Sequence, residues 1–369
     1  MLDGSLTLDG TIEVVGEDAL AIGINENVTG DVLLSGSIQT IGKDAAGVIV
    51  TGDVDGIFAK EGTIISTGFA STTLSNYVPP ASVDDDTPPL DERIDAEDLN
   101  DNRPAMGVGG SLANGFLNNG DIGGRDEDDE TKDAIEDYDE NRGTGTIRSF
   151  GSAPAVLISP DLDASGTGDL ELGTVVEKVR DTTDDDDDDD TSEILKTFNY
   201  DYGFINRGTI SGNGLNSGYE ATALRIEGSE DGTRSTIVNG GLYNGGAISA
   251  SARDADATAS SLGAGAVIGR IDNDGNITAS LFSEAGNDAV AVRIEDGASV
   301  GSFYNSGQIS STAYGLSGTS TALLDESNTL TSIVNQGDIA AFLSQLDEEA
   351  AGATRAVAID LSGHEASRS

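Results

Sequence analysis

The chain has 369 residues, with 66 acidic and 19 basic side chains and a formal net charge of -47 at pH 7. This charge argues against nucleic-acid binding and against anionic membrane surfaces, because like charges repel. It leaves divalent cations, basic partners or simple solubility as uses of the charge. Cysteine is absent, which excludes disulfides and thiol chemistry. No apolar run approaches the ~20 residues of a membrane span.

An internal repeat organises the chain from its start. Residues 10–35 and 36–61 repeat one another at a spacing of 26 residues, and a third copy opens at Gly62. Each unit opens on Gly-x-Ile and continues into a small residue followed by alternating aliphatic residues, as in Ala21-Ile22-Gly23-Ile24. Later copies carry an Asn two residues before the Gly, at Asn118, Asn206, Asn244, Asn273, Asn305 and Asn335. Such short period-2 units cannot bury their own apolar faces, so they must stack.

Stacking predicts an all-β fold, a right-handed single-stranded parallel β-helix (β-solenoid) with acidic loop insertions. Residues 1–369 are interpreted as one solenoid of ten or eleven coils, in which equivalent residues lie ~4.8 Å apart. The recurring Ile residues then form an internal ladder, and Asn and Gly fall at corners, where stacked amides can hydrogen-bond. A β-sandwich is the alternative, but its strands would not keep one spacing between consecutive units.

Three acidic insertions interrupt the repeat, at about 70–104, 123–144 and 159–202. Their acidic parts together hold 34 acidic and 8 basic residues, in 81–104, 123–142 and 161–202. The first two separate Ile64 and Ile122 from the small-residue strands that follow, which predicts that both leave one corner, side by side. The aspartate run from Asp184 to Asp190 is either a disordered solvating loop or a cation-binding one.

One segment points to calcium more specifically. The run Asp161-Leu162-Asp163-Ala164-Ser165-Gly166, followed by Asp169, resembles the start of an EF-hand calcium loop. It departs from that loop at position twelve, which is Leu172, while Glu171 stands one residue early. The sequence therefore predicts calcium as a cofactor that orders the acidic insertions. The candidate metal ligands are Asp161, Asp163, Ser165, Asp169 and Glu171.

Catalytic chemistry finds little support in the sequence. His364, the only histidine, lies close to the last residue, where a Ser-His-Asp arrangement would not be held rigidly. Paired carboxylates keep open an alternative, a β-helix polysaccharide lyase or glycoside hydrolase. Arg225 and Arg293 share one repeat position, and we interpret them as a solvated outer row opposite nearby acids. The aromatic run 198–204 is expected either to pack the third insertion onto the solenoid or to form a contact patch.

The Asn-x-Gly-x-Ile motif, the small-residue strands and the Gly-, Ala-, Ser- and Thr-rich background resemble passenger regions of bacterial autotransporters. The resemblance covers residues 1–69, 105–122, 145–158 and 203–361. It implies export and then display or release at the outer surface of a Gram-negative cell. Such passengers include adhesins, proteases, toxins and self-associating matrix proteins. The sequence shows no secretory signal and no translocator-barrel strands, which keeps open an S-layer or surface-filament subunit.

These observations together predict an extracellular protein of the bacterial cell surface, structural or adhesive, and not an enzyme. It would assemble into a fibre, layer or matrix, with calcium bridging its acidic loops. A passive stalk of a larger autotransporter is a further alternative. The expected partners are divalent cations and a second copy joined end to end, because a solenoid end offers unpaired backbone groups. Nucleic acid and direct membrane insertion are not expected.

Overall fold

The computed structural model describes residues 1–69, 101–119, 145–180, 194–214, 216–283, 286–315, 318–345 and 355–363. These residues form thirty-one strands, numbered β1 to β31 in chain order, and a short 3-10 helix at Pro160–Leu162. Three parallel sheets, called A, B and C here, have eleven, nine and nine strands. The chain visits A, B and C in turn and then returns to A, one coil further along the stack. The prediction of a parallel β-helix is confirmed.

Sheet A consists of β1 (Leu6–Leu8), β4 (Val32–Leu34), β7 (Phe58–Lys60), β10 (Phe116–Asn118), β13 (Leu170–Leu172), β16 (Phe204–Asn206), β19 (Thr236–Val238), β20 (Leu242–Asn244), β23 (Ala266–Asn273), β26 (Ser299–Asn305) and β29 (Ser332–Asn335). Sheet B consists of β2 (Thr11–Val15), β5 (Ser37–Ile41), β8 (Thr63–Thr67), β11 (Thr146–Phe150), β17 (Thr209–Asn213), β21 (Ala247–Arg253), β24 (Asn276–Ser283), β27 (Gln308–Gly315) and β30 (Asp338–Gln345). Sheet C consists of β3 (Leu20–Ile24), β6 (Ala46–Val50), β9 (Met106–Val108), β12 (Val156–Ile158), β18 (Ala221–Ile226), β22 (Ala257–Leu262), β25 (Asn287–Ile294), β28 (Gly318–Asp325) and β31 (Arg355–Asp360). The remaining strands, β14 (Val176–Arg180) and β15 (Ile194–Asn199), form an antiparallel hairpin between β13 and β16.

Nine coils are present in the described residues, because sheets B and C each have nine strands. The sequence predicts ten or eleven coils for the whole chain, and the described residues account for nine of them. Eight steps of ~4.8 Å give a stack ~40 Å long.

An aliphatic ladder sets the register of sheet B. One inward position is Ile in every coil: Ile12, Ile38, Ile64, Ile147, Ile210, Ile248, Ile277, Ile309 and Ile339. The seven central members are buried, and only the first and last coils leave theirs partly exposed. Burying each Ile side chain is worth roughly 1.5–3 kcal/mol. The predicted internal Ile ladder is therefore confirmed.

The fourth coil corrects one sequence assignment. Its opening Ile is Ile147, which pairs with Ile64 and Ile210, and not Ile122. Asn118 is a true repeat residue, but the strand that continues its coil begins only at Thr146. The second insertion therefore joins sheet A to sheet B, whereas the first joins sheet B to sheet C. The expectation that both leave the same corner is wrong.

A fourth side closes each coil between sheets C and A. Its inward column runs through Leu2, Val28, Val54, Leu112, Leu172, Val238, Ile268 and Val300. Leu172 belongs to the third predicted insertion, so that stretch is not wholly outside the solenoid. It contributes one strand of a coil, β13, before the hairpin departs.

Asparagines form a hydrogen-bonded ladder at the corner between sheets A and B. Five consecutive Nδ2–Oδ1 bonds of 2.7 Å join Asn118, Asn206, Asn244, Asn273, Asn305 and Asn335. In the last four, Nδ2 also donates to the carbonyl two residues later, as from Asn273 to Gly275 at 3.2 Å. A Cβ at Gly275 would lie 2.1 Å from the Gly246 carbonyl oxygen, so that corner requires glycine. The predicted amide ladder is confirmed, and it explains the Asn-x-Gly motif.

Phenylalanines stack inside sheet A next to the amides. Phe58 and Phe116 have ring centroids 5.7 Å apart, Phe116 and Phe204 are 4.9 Å apart, and both pairs are nearly parallel. All three are fully buried. These three stacked rings fill the core of sheet A in the third, fourth and fifth coils.

Candidate functional site

The predicted calcium turn lies on the outside of the solenoid between β12 and β13. Its chain reverses through an Asx turn in which Asp163 Oδ1 accepts from Ser165 N at 3.0 Å and Ser165 Oγ at 2.8 Å. These bonds, led by the one from the Ser165 hydroxyl, lower the pKa of Asp163. Aspartate and serine at this spacing make such a turn without any ion.

A cation of the protein itself occupies this turn. Arg234 Nη1 donates to the carbonyl oxygens of Asp163 and Gly166, each at 3.0 Å, and Nη2 pairs with Asp161 Oδ1 at 3.3 Å. The Arg234 side chain is only 12% exposed. Asp161 Oδ2 accepts from Glu230 N at 2.7 Å. Three oxygen atoms of the calcium-loop-like segment therefore coordinate a guanidinium donated by the next coil.

The other two candidate ligands lie elsewhere. Asp169 Oδ1 accepts from Ser235 N at 2.7 Å, and the Glu171 side chain is exposed on β13. Asp161, Asp163 and Ser165 are thus brought together around Arg234, while Asp169 and Glu171 are not part of that contact. In the described ranges, no group of three or more His, Cys, Asp or Glu side chains is arranged to hold a metal ion.

Several sequence predictions concern residues that the structure does not describe. Asp184 to Asp190, His364 and most of the first two acidic insertions lie outside the described residues. Calcium bridging of those insertions stays a prediction.

The basic pair of sheet C is an outer ionic row, as the sequence suggested. Arg225 pairs with Glu227 and, at 3.5 Å, with Glu295. Arg293 Nε donates to Glu326 at 2.9 Å. Every member is partly exposed, so each pair contributes little to stability, about 0–1 kcal/mol.

The aromatic run 198–204 divides between the core and the outer face of sheet A. Phe204 points inward, whereas Tyr200 and Tyr202 pack outside against a cluster made of Ile57, Ala59, Leu117, Val175 and Ile205. Of the two sequence-based alternatives, packing of the third insertion onto the solenoid is the one observed.

A buried ion pair fastens the hairpin to this face, and sequence reasoning missed it. Arg207 Nη1 lies 3.3 Å from Glu177 Oε2, and their side chains are 6% and 4% exposed. Tyr200 Oη donates to the same carboxylate at 2.8 Å, and its ring lies 4.7 Å from the guanidinium. Burial, mainly, raises the pKa of Tyr200. The only sequence signal was an Arg directly after a ladder asparagine.

The outer face of sheet B is free of charge in the coils that contain β17, β21, β24 and β27, apart from Arg253. Its first three outward positions hold Thr209, Ser211, Asn213, Ala247, Ser249, Ser251, Asn276, Thr278, Ser280, Gln308, Ser310 and Thr312. Tyr314 and Phe342 stand exposed at one end of this face, at 47% and 55%. Val15, 44% exposed, stands at the other end. We call this surface, from β2 to β30, the hydroxyl face.

A scan against protein-family models, a search of curated proteins and a search of solved structures find no match. No helix in the described part of the chain is long and apolar enough to cross a membrane.

Proposed function

We propose that this chain is a structural and adhesive element of the bacterial cell exterior, a rigid solenoid that holds surfaces together by association. The observation that carries the proposal is the continuity of its ladders. The Ile column spans nine coils and the Asn column six. Side chains used in this way stiffen a stack and present its outer faces at a fixed repeat.

Polar contacts outside the core support the same role. Arg293 and Arg234 each bind an acid or carbonyls of the neighbouring coil, and Arg225 binds Glu295 two coils further along. The basic side chains thus tie coils together, which is the use expected in a scaffold.

An exterior location is supported by the resemblance of the repeat to autotransporter passengers. A surface filament, layer subunit or stalk would use the same solenoid. Calcium between acidic loops and end-to-end joining of solenoids belong to the proposal as ways in which association would be strengthened.

A bead assay tests the proposal. Beads coated with the chain should clump, and more strongly at high salt, because salt screens the repulsion of a net charge of -47. Beads coated with an unrelated acidic protein are the control. If the beads stay dispersed under all conditions and the chain releases unsaturated sugar ends from an acidic polysaccharide, the scaffold function is wrong and the lyase alternative is favoured.

A further inference from the structure

We infer that the hydroxyl face of sheet B binds the hydroxyl face of a second copy of this chain, with the two solenoids antiparallel. The inference rests on the proposed function and deepens it, because it names the surface and the partner through which association occurs.

Charge determines which outer face can contact the same face of a second copy. Two chains of -47 each repel, and an interface that buries unpaired charge is costly. The outer face of sheet C carries the Arg–Glu row, and the outer face of sheet A is covered in part by the hairpin. Glu13 and Asp338 lie in the first and ninth coils, at the two ends of the hydroxyl face. In the second to eighth coils the outward positions carry no carboxylate, and the charged residues there are Arg148 and Arg253. Two copies can therefore approach there without desolvating carboxylates.

The hydroxyls of this face are available to a partner. Thr278, Ser280, Ser310 and Thr312 point outward, and none of them hydrogen-bonds within the described residues. Small side chains let two sheets approach to ~10 Å, the spacing of packed sheets. Facing hydroxyls can then donate to and accept from one another.

The area of the face suits a stable dimer. Nine coils extend ~40 Å, and three outward positions on a five-residue strand extend ~17 Å. The contact would cover ~650 Å² on each copy, or ~1,300 Å² in total, within the range of specific interfaces.

The exposed apolar residues define the orientation. Val15 lies in the first coil and Phe342 in the ninth, both at the third outward position of their strands. A two-fold axis along the strand direction sets Val15 against the partner's Phe342, and the symmetry makes this contact twice. A two-fold axis along the solenoid would instead oppose Glu13 to its own copy, which repels. The antiparallel arrangement is therefore favoured.

Sedimentation equilibrium of the full chain in high salt tests the inference. The wild type should have twice the 37.6 kDa mass of one chain. Ser310→Glu buries two unpaired carboxylates in each dimer and should raise the dissociation constant by roughly 100-fold or more. Ser332→Glu is the matched control, because Ser332 is exposed on β29 of sheet A, and it should remain dimeric.

Orientation has its own readout, since the chain has no cysteine. A mixture of Val15→Cys and Phe342→Cys chains should be linked by a short bismaleimide, while Val15→Cys alone should not.

Three results would overturn the inference: a wild type that stays monomeric at its highest soluble concentration, a dimer unaffected by Ser310→Glu, or a monomer whose hydroxyl face binds a neutral polysaccharide. Bead clumping by a monomeric chain would reject this interface and leave the proposed function standing. A chain that forms the dimer but does not clump beads would support this interface and reject the proposed function.

Discussion

Lys60 lies in the third coil at the position that Asn118 holds in the fourth, and both side chains are fully buried. The ladder amides share one orientation, so Asn118 Nδ2 donates to Asn206 and Asn118 Oδ1 is directed back toward the coil of Lys60. That oxygen has no hydrogen-bond partner among the described residues. Lys60 Nζ donates to the carbonyl of Gly62 and, at 2.6 Å, to that of Thr146. The ladder thus begins with an unsatisfied acceptor beside a buried amine.

Lys60→Asn should extend the ladder by one coil and stabilise the protein at pH 7. The new amide can donate to Asn118 Oδ1, and satisfying a buried acceptor is worth about 1 kcal/mol or more. Burial lowers the pKa of Lys60 well below its usual value. The contribution of Lys60 to the stability of the wild type is therefore fully present above ~10.4, the pKa of lysine in the unfolded chain. It is lost as the pH falls through the pKa of Lys60 in the folded protein.

Urea denaturation of the wild type and Lys60→Asn at pH 7 and about pH 10 measures both effects. The stability gap should narrow at the higher pH, because the wild-type amine is then neutral in the unfolded chain as well. Lys60→Met is the control that removes the amine without adding an amide. A Lys60→Asn variant less stable than Lys60→Met at pH 7 would show that the added amide does not join the ladder.

Asn273→Asp should break the ladder at its centre. Asn273 Nδ2 donates to Asn305 Oδ1 and to the Gly275 carbonyl, and a carboxylate can donate to neither. A buried charge facing two acceptors should cost about 3–5 kcal/mol in the free energy of unfolding at pH 7. Asn335→Asp is the matched control, since Asn335 is exposed and a carboxylate still accepts from Asn305. If the two variants lose the same free energy of unfolding, the hydrogen bonds at the centre of the ladder do not stabilise the protein more than the bond at its end.

Much of the coil could be predicted from the sequence because each repeat places the same side chain in the same environment. The Asn-x-Gly-x-Ile motif contains the ladder amide, the corner glycine and the inward Ile within five residues. Because the motif recurs in successive coils, it predicts contacts between coils even though their partners are 29 to 88 residues apart. The choice between Ile122 and Ile147 could not be made that way. Both follow an Asn or Gly at acceptable spacing, and only pairing with Ile64 and Ile210 distinguishes them.

The candidate site was harder to predict, because its cation comes from a distant part of the sequence. Asp161 and Asp163 alternate as calcium ligands do, yet Arg234 reaches them across 73 and 71 residues. No local spacing encodes that contact. The Glu177–Arg207 pair, 30 residues apart, escaped notice for the same reason. Strand β22 was also missed, because Ala257–Leu262 lacks the aliphatic alternation of the other sheet C strands.

Asp101 should make the fold weaker as the pH rises. Its carboxyl is fully buried, where it accepts from the Ser66 hydroxyl and, at 3.1 Å, from Arg103 N. Burial raises the pKa of Asp101 to about 7, against ~3.9 in an unfolded chain. Because the pKa of Asp101 is raised by folding, its contribution to the free energy of unfolding is fully present below pH ~4 and is lost as the pH rises through 7. The total change is about 4 kcal/mol.

Asp101→Asn should remove this loss. The variant and the wild type should be similar at pH 4, and the variant should be more stable by up to about 4 kcal/mol at pH 8. The Ser66 hydroxyl keeps an acceptor in the variant, because the Ala45 carbonyl lies 3.0 Å away. Thermal denaturation across this range measures the difference, with Asp338→Asn as a control for removal of an exposed charge. A constant difference between Asp101→Asn and wild type at all pH values would contradict the assignment.

Arg234→Gln should loosen the turn that the sequence assigned to calcium. The guanidinium binds the carbonyls of Asp163 and Gly166 and the carboxylate of Asp161, and charged hydrogen bonds of this kind are worth about 1.5–3 kcal/mol each. Cleavage of the turn by a protease should accelerate at least tenfold, since local opening becomes easier. Arg234→Lys should be intermediate, because an ammonium lacks the planar fork that spans three oxygen atoms.

Calcium addition then separates the two possible cations of this turn. With the guanidinium in place, calcium should leave the cleavage rate of the wild-type turn unchanged. In Arg234→Gln the three oxygen atoms lose their cation, and calcium should slow cleavage again, since carbonyl and carboxylate oxygens are its preferred ligands. Calcium protection of the wild-type turn would instead mean that the ion displaces Arg234 in solution. The original prediction of a calcium site at Asp161, Asp163 and Ser165 would then be the correct one.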